Sequence, residues 1–239
     1  MALVAVTEIT KSYQRGPETI HAVRSVSFEL HSGQVCALIG PSGSGKSTVL
    51  NIICGWESPD AGTRAWKGDK VIDPRTLDWS HIGLVPQRLG LLEDLTIAEN
   101  IELPLVLLGG NPEDVAGKSG EILSALDLSG LRDRLPAETS LGEQQRACIA
   151  RALVAEPELV LADEPTGNQD HVRETKVLAR FRAAAAGGAA CLLATHNPAV
   201  LERCDRILEM HDGELVSDTQ SDPLAVARAD WAPDRTTKR

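Results

Sequence analysis

Residues 40–48 read Gly40-Pro41-Ser42-Gly43-Ser44-Gly45-Lys46-Ser47-Thr48, the spacing G-x-x-x-x-G-K-[ST]. Glycines at these intervals let successive backbone N–H groups turn toward one point, where they can cradle a phosphate. Lys46 can reach the outer phosphates of a nucleoside triphosphate, and the Ser47 hydroxyl can ligate Mg²⁺. Phosphoryl transfer is mostly positioning and charge stabilisation, so few further groups are needed. The adjacent carboxylates Asp163 and Glu164 divide the work: Asp163 for the metal, Glu164 for the attacking water. His196 and Gln87 are candidates for polar contacts to the γ-phosphate and to the metal or water. A lone strand-end histidine is more often structural, and Gln87 alone would mean little.

The elements around these residues suit the chemistry. Val35-Cys36-Ala37-Leu38-Ile39 is an apolar run that reads as a buried strand, and a helix follows from Ser47. Leu159-Val160-Leu161-Ala162 reads as a strand covered on both faces, delivering the two carboxylates at its C-terminal end. Ala189 to Ala194 is a comparable strand that delivers Thr195-His196-Asn197, and Ile82 to Val85 leads into Pro86-Gln87. Alternation predicts strands over 3–9 and 23–30, with Tyr13 between them as either a base-stacking or a half-exposed loop aromatic. Between the strand-rich halves, residues 89–145 read as helical. Thr96 caps a helix over 96–108 with Glu99 in the capping-box position, Asn111 caps a helix from Pro112 to Leu128, and another begins near Gly142. Residues 178–186 continue a helix, and 206–216 close as a hairpin turning at Asp212-Gly213. From 222 onward no periodicity is present, and the tail reads as flexible.

Composition narrows the setting. A chain of 239 residues with 42% hydrophobic content can bury a substantial core. The formal net charge of −10 disfavours a nucleic-acid partner. Apolar runs are too short to span a bilayer, and the N-terminus lacks signal-peptide features. Five scattered cysteines without a C-x-x-C pair read as core residues in a reducing compartment.

Together these residues resemble the nucleotide-binding subunit of ATP-binding-cassette (ABC) transporters, over nearly the whole chain to about residue 216. GPSGSGKST at 40–48 is similar to the Walker A motif, and Gln87 to the Q-loop glutamine. LVLADEPTGNQD at 159–170 is similar to Walker B and a D-loop ending in Asp170, and ATHN at 194–197 to the switch-histidine motif. Tyr13 falls where the family places its adenine-stacking aromatic. TSLGEQQRACIARAL at 139–153 corresponds to the signature, whose residues here are Ser140, Leu141, Gly142 and Glu143. GPSGSGKSTVLNIICG, LTIAENIELPL and ADEPTGN point to the lipoprotein-releasing and macrolide-exporter branch.

The resemblance implies an α/β P-loop NTPase of RecA-like core, with an antiparallel β portion and an inserted helical subdomain. The expected parts are 1–88, the helical subdomain 89–145, 146–221, and the tail. It also implies ATP and Mg²⁺ as cofactors, with Ser47, Gln87 and Asp163 around the metal. A second ATP-binding subunit would supply the signature in trans, and an integral-membrane permease would bind at the cytoplasmic membrane face. Leu89, Leu91, Leu92 and Leu95 are either subdomain core or the groove for that partner. Two residues depart from the family: Leu141 stands where a glycine is usual, and Gln169 where leucine is usual. If position 141 needs a positive φ, leucine strains the loop and slows hydrolysis. The alternatives are a regulator of a cell-envelope or cell-division complex without cargo, and a module that closes on ATP with weak hydrolysis.

Overall fold

The computed structural model describes residues 1–70 and 76–220; the expected tail from 222 lies outside them. Two sheets form. The first is antiparallel, in the order β2-β1-β4-β5, from β1 (Val4–Arg15), β2 (Glu18–Leu30), β4 (Ala61–Trp66) and β5 (Asp69–Lys70). The second has the order β10-β9-β3-β8-β7-β6. Its strands are β3 (Val35–Ile39), β6 (Ile82–Val85), β7 (Leu159–Asp163), β8 (Ala190–Ala194), β9 (Arg206–His211) and β10 (Glu214–Gln220). β9-β3-β8-β7-β6 run parallel, and β10 returns antiparallel to β9. The return is the expected hairpin: Asp212 and Gly213 both take positive φ, as a tight two-residue turn requires.

The parallel sheet is covered on both sides, and β7 shows how. Leu159 and Leu161 face one core with α1 (Lys46–Cys54) and the antiparallel sheet. Val160 and Ala162 face the other core, built with α2 (Ile97–Leu107), α3 (Pro112–Ala125), α4 (Leu141–Leu153) and α5 (His171–Ala186). A period-two apolar strand between two layers must bury every residue, and β7 does. A short α6 (Pro198–Leu201) follows β8.

Helix starts match their caps. Thr96 Oγ1 accepts from the Glu99 N–H at 3.2 Å while Glu99 Oε2 accepts from the Thr96 N–H at 2.8 Å. Asn111 Oδ1 accepts from the Asp114 N–H, with Pro112 in the first turn. Other limits differ. The strands expected at 3–9 and 23–30 are longer, so Tyr13 lies inside β1 and not in a loop. α3 ends at Ala125, α5 begins already at His171, and α4 runs unbroken past residue 145. Residues 89–95 are not helical. The buried Asn100 pins them, its amide bonding the Leu92 N–H and the carbonyls of Leu92, Leu95 and Thr96.

Candidate ATP site

Because β3, β8, β7 and β6 are parallel neighbours, their C-terminal ends share one edge of the sheet. That edge receives the 40–48 loop from β3, His196 from β8, Asp163 and Glu164 from β7, and Gln87 from β6. The loop closes on α1 through Gly45, the helix N-cap, with φ 101°. A Cβ there would lie 2.2 Å from the Ala22 carbonyl oxygen, so only glycine fits. Lys46 Nζ donates to the carbonyls of Gly40 at 2.9 Å and Pro41 at 3.0 Å, held at the mouth of the loop. Burial lowers the Lys46 pKa, against the opposing pull of Glu164 and Asp163. Ser44 Oγ is buried within the loop and has no hydrogen-bond partner among the described residues.

Asp163 and Ser47 meet directly: Ser47 Oγ donates to Asp163 Oδ2 at 2.6 Å. Burial pushes the Asp163 carboxyl above its usual range, and the Ser47 hydrogen bond opposes the shift only partly. A carboxylate beside a hydroxyl, both at the mouth of a phosphate cradle, fits Mg²⁺ completed by phosphate oxygens and water. The unpartnered Ser44 hydroxyl and the Lys46 ammonium likewise fit an anionic ligand.

Glu164 turns away from its neighbour for a definite reason. Its φ is +51°, a left-handed conformation uncommon for a residue with a Cβ. The Glu164 N–H donates to the Ala194 carbonyl at 2.8 Å, and Gln145 Nε2 donates to the Glu164 carbonyl at 2.7 Å. The side chain thereby swings to the end of β8. There Glu164 Oε1 lies 2.7 Å from His196 Nδ1, and Thr195 Oγ1 donates to Oε2 at 3.3 Å. An ionised carboxylate only accepts, so Nδ1 carries the proton in this pair. Gln87 is exposed and makes no hydrogen bond to Asp163 or Glu164 among the described residues.

Tyr13 projects from β1 onto the flank of α1. Its hydroxyl donates to Glu57, and Lys11 Nζ lies 5.7 Å from the ring centre. Burial and the Glu57 hydrogen bond push the phenol up to about 12.

The 140–143 turn lies elsewhere, against residues 168–170. Ser140 is the N-cap of α4: its Oγ donates to Glu143 Oε2 at 2.8 Å, and Glu143 also accepts from the Ser140 N–H. The Ser-x-x-Glu pattern signals this box in the sequence. Those hydrogen bonds lower the Glu143 pKa. Leu141 occupies the first turn of α4, 56% exposed and not at positive φ. The positive φ that would have strained Leu141 is therefore not required. Asp170 caps α5, accepting from the Arg173 N–H at 2.9 Å. Sequence reasoning missed the buried Arg146 and Glu174. The latter accepts from Asn197 beside His196, and a charged letter in a helix gives no sign of such burial. Of the expected groove residues, Leu89 and Leu91 pack on the core, and Leu92 is exposed.

The ABC transporter family model matches residues 23–167, more than half of the chain. The chain belongs to that family. It is 41% identical over 222 residues to the lipoprotein-releasing system ATP-binding protein LolD of Novosphingobium aromaticivorans, covering 89% of this chain and 98% of that one. It is 37% identical over 220 residues to the macrolide export ATP-binding/permease protein MacB of Salmonella typhimurium, but spans only 34% of MacB. The dimeric cassette MJ0796, in a post-hydrolysis state bound to ADP and Pi, superimposes with a TM-score of 0.83 at 32% identity, covering 91% of this chain and 98% of that one. The fold is thus the ABC ATPase fold, and the chain is an ATP-binding, ATP-hydrolysing subunit of the ABC type.

Proposed function

We propose that this chain is the motor of a membrane complex in the lipoprotein-releasing and macrolide-export style. It pairs with a second ATP-binding subunit, identical or related, and works on an integral-membrane permease at the cytoplasmic face. The observation that carries the reading is the shared sheet edge, where Ser47 meets Asp163 and Glu164 meets His196. The 40–48 amides and Lys46 bind the phosphates, and Tyr13 stacks on adenine. Ser47 and Asp163, with Gln87 approaching from its loop, would hold Mg²⁺, which neutralises charge on the phosphate oxygens. Glu164 accepts a proton from the attacking water, and His196 leaves Glu164 to donate to the γ-phosphate. Each 40–48 loop faces the other subunit's Ser140–Gly142 turn, with Asp170 beside it. Among the described residues no helix is long and apolar enough to cross a membrane. We place that contact near the exposed Leu92.

Steady-state ATPase activity tests the roles. Ser47→Ala should lower turnover and raise the Mg²⁺ concentration needed. Glu164→Gln should cut turnover by about 10²–10⁴-fold while Mg-ATP still binds. A Glu164→Gln chain that hydrolyses ATP at the wild-type rate removes Glu164 as the base.

A further inference from the structure

Two departures from the family pattern, Leu141 and Gln169, line the same cleft between the first turn of α4 and the 168–170 loop. Gln169 carries bonds that a leucine could not make. Its Nε2 donates to the Gly142 carbonyl at 2.9 Å and to Gln145 Oε1 at 3.2 Å, while its Oε1 accepts from Arg146 Nη1 at 2.9 Å. Arg146 is only 3% exposed, and its Nε donates to the Leu126 carbonyl at 2.9 Å. Gln169 therefore supplies an acceptor to a buried guanidinium, and losing one is costly. The backbones touch as well: a Cβ on Gly142 would stand 2.7 Å from the Asn168 carbonyl oxygen.

The bonds continue past Gln169. The buried Gln145 accepts from the Asn168 N–H at 3.2 Å and donates to the Glu164 carbonyl at 2.7 Å. An unbroken path thus runs from the Gly142 carbonyl through the Gln169 and Gln145 amides to the Glu164 carbonyl. Glu164 sits in a left-handed conformation that its neighbours must hold.

We propose that Gln169 is a positioning residue, fixing the Ser140–Gly142 turn to the peptide that aims Glu164. Resting on the dimeric reading above, this joins the turn that meets the partner subunit's ATP to the carboxylate that acts on the chain's own ATP. Engagement of one site then sets the geometry of the other, so Gln169 governs turnover and not nucleotide affinity.

Gln169→Leu and Gln169→Glu in the full chain test this. Neither can donate to the Gly142 carbonyl, but glutamate keeps an acceptor for Arg146, which separates coupling from packing. ATPase rates across ATP concentrations, thermal midpoints and binding of a fluorescent ATP analogue would be measured. Both variants should lose about tenfold in kcat, the size of one lost hydrogen bond, with KM and analogue affinity near wild type and the Hill coefficient lowered; the midpoint should stay near wild type in Gln169→Glu and fall in Gln169→Leu, which leaves Arg146 without that acceptor. The proposal is overturned if both variants keep the wild-type kcat. It is also overturned if Gln169→Glu alone keeps it, since Arg146 packing would then be the whole effect. A fall in kcat that tracks a fall in midpoint in Gln169→Glu reduces Gln169 to a structural residue. A wild-type chain without ATPase activity would instead sink the reading of the function beneath it.

Discussion

At Asp163, stability and chemistry pull in opposite directions. Burial raises its pKa, so the folded protein holds that proton more tightly than the unfolded chain does. A raised carboxyl pKa means stability falls as pH rises from the unfolded value through the folded one, and the cost is present above it. Asp163→Asn should therefore raise the thermal midpoint of the nucleotide-free protein at pH 7.5 while abolishing Mg²⁺-dependent hydrolysis. The difference from wild type should shrink as pH falls toward the ordinary carboxylate range. Thermal scans across that range check it, and a midpoint difference independent of pH would show that the charge costs nothing. Tyr13 lends a polarizable face beside the 40–48 loop. Tyr13→Ala should weaken ATP binding by about 1–2 kcal/mol, read by titration calorimetry, and unchanged affinity would remove the stacking assignment. Residue type and spacing made the 40–48 loop, Asp163, Glu164 and His196 legible in the sequence. The bond between Glu164 and His196 was not, because it depends on a left-handed backbone at Glu164 that no letter at 164 announces.

Among the elements, α4 carries the clearest surprise. Leu141 would strain its loop only at a positive φ, and as the first residue of a capped helix it does not have one. What remains is bulk: an exposed side chain on the face that the proposed dimer turns to the second subunit's ATP. Leu141→Ala and Leu141→Gly should both raise the ATPase rate of the assembled complex. Alanine should do so without the cost of roughly 0.5–1 kcal/mol that glycine brings to a helix. If only glycine raises the rate, backbone freedom matters; if neither does, the leucine is accommodated. Helix starts could be read because side-chain caps act locally, as at Thr96 and Asn111. The lengths of β1 and β2 could not. Register shifts between Val6 and Ile9 and again toward Ser12 break the alternation that reveals a strand, which hid the extension carrying Tyr13. Likewise the 89–95 loop reads as apolar helix until the buried Asn100, an unremarkable polar letter, is seen to hold it open.

For the whole molecule, the two-layer packing explains why the site lies on one edge. A parallel sheet buried on both faces leaves its strand ends as the place where polar groups can gather. That much follows from the apolar runs at 35–39, 159–162 and 189–194. The face proposed to meet another subunit does not, since Ser140 and Asp170 satisfy their local bonds as helix caps. The central claim is that ATP closes two such faces on each other. Light scattering on size-exclusion chromatography of Glu164→Gln, with and without Mg-ATP, tests it most directly. The account predicts one chain of 25.6 kDa without nucleotide and twice that mass with Mg-ATP. A protein that binds Mg-ATP at saturation yet keeps the mass of one chain would contradict it.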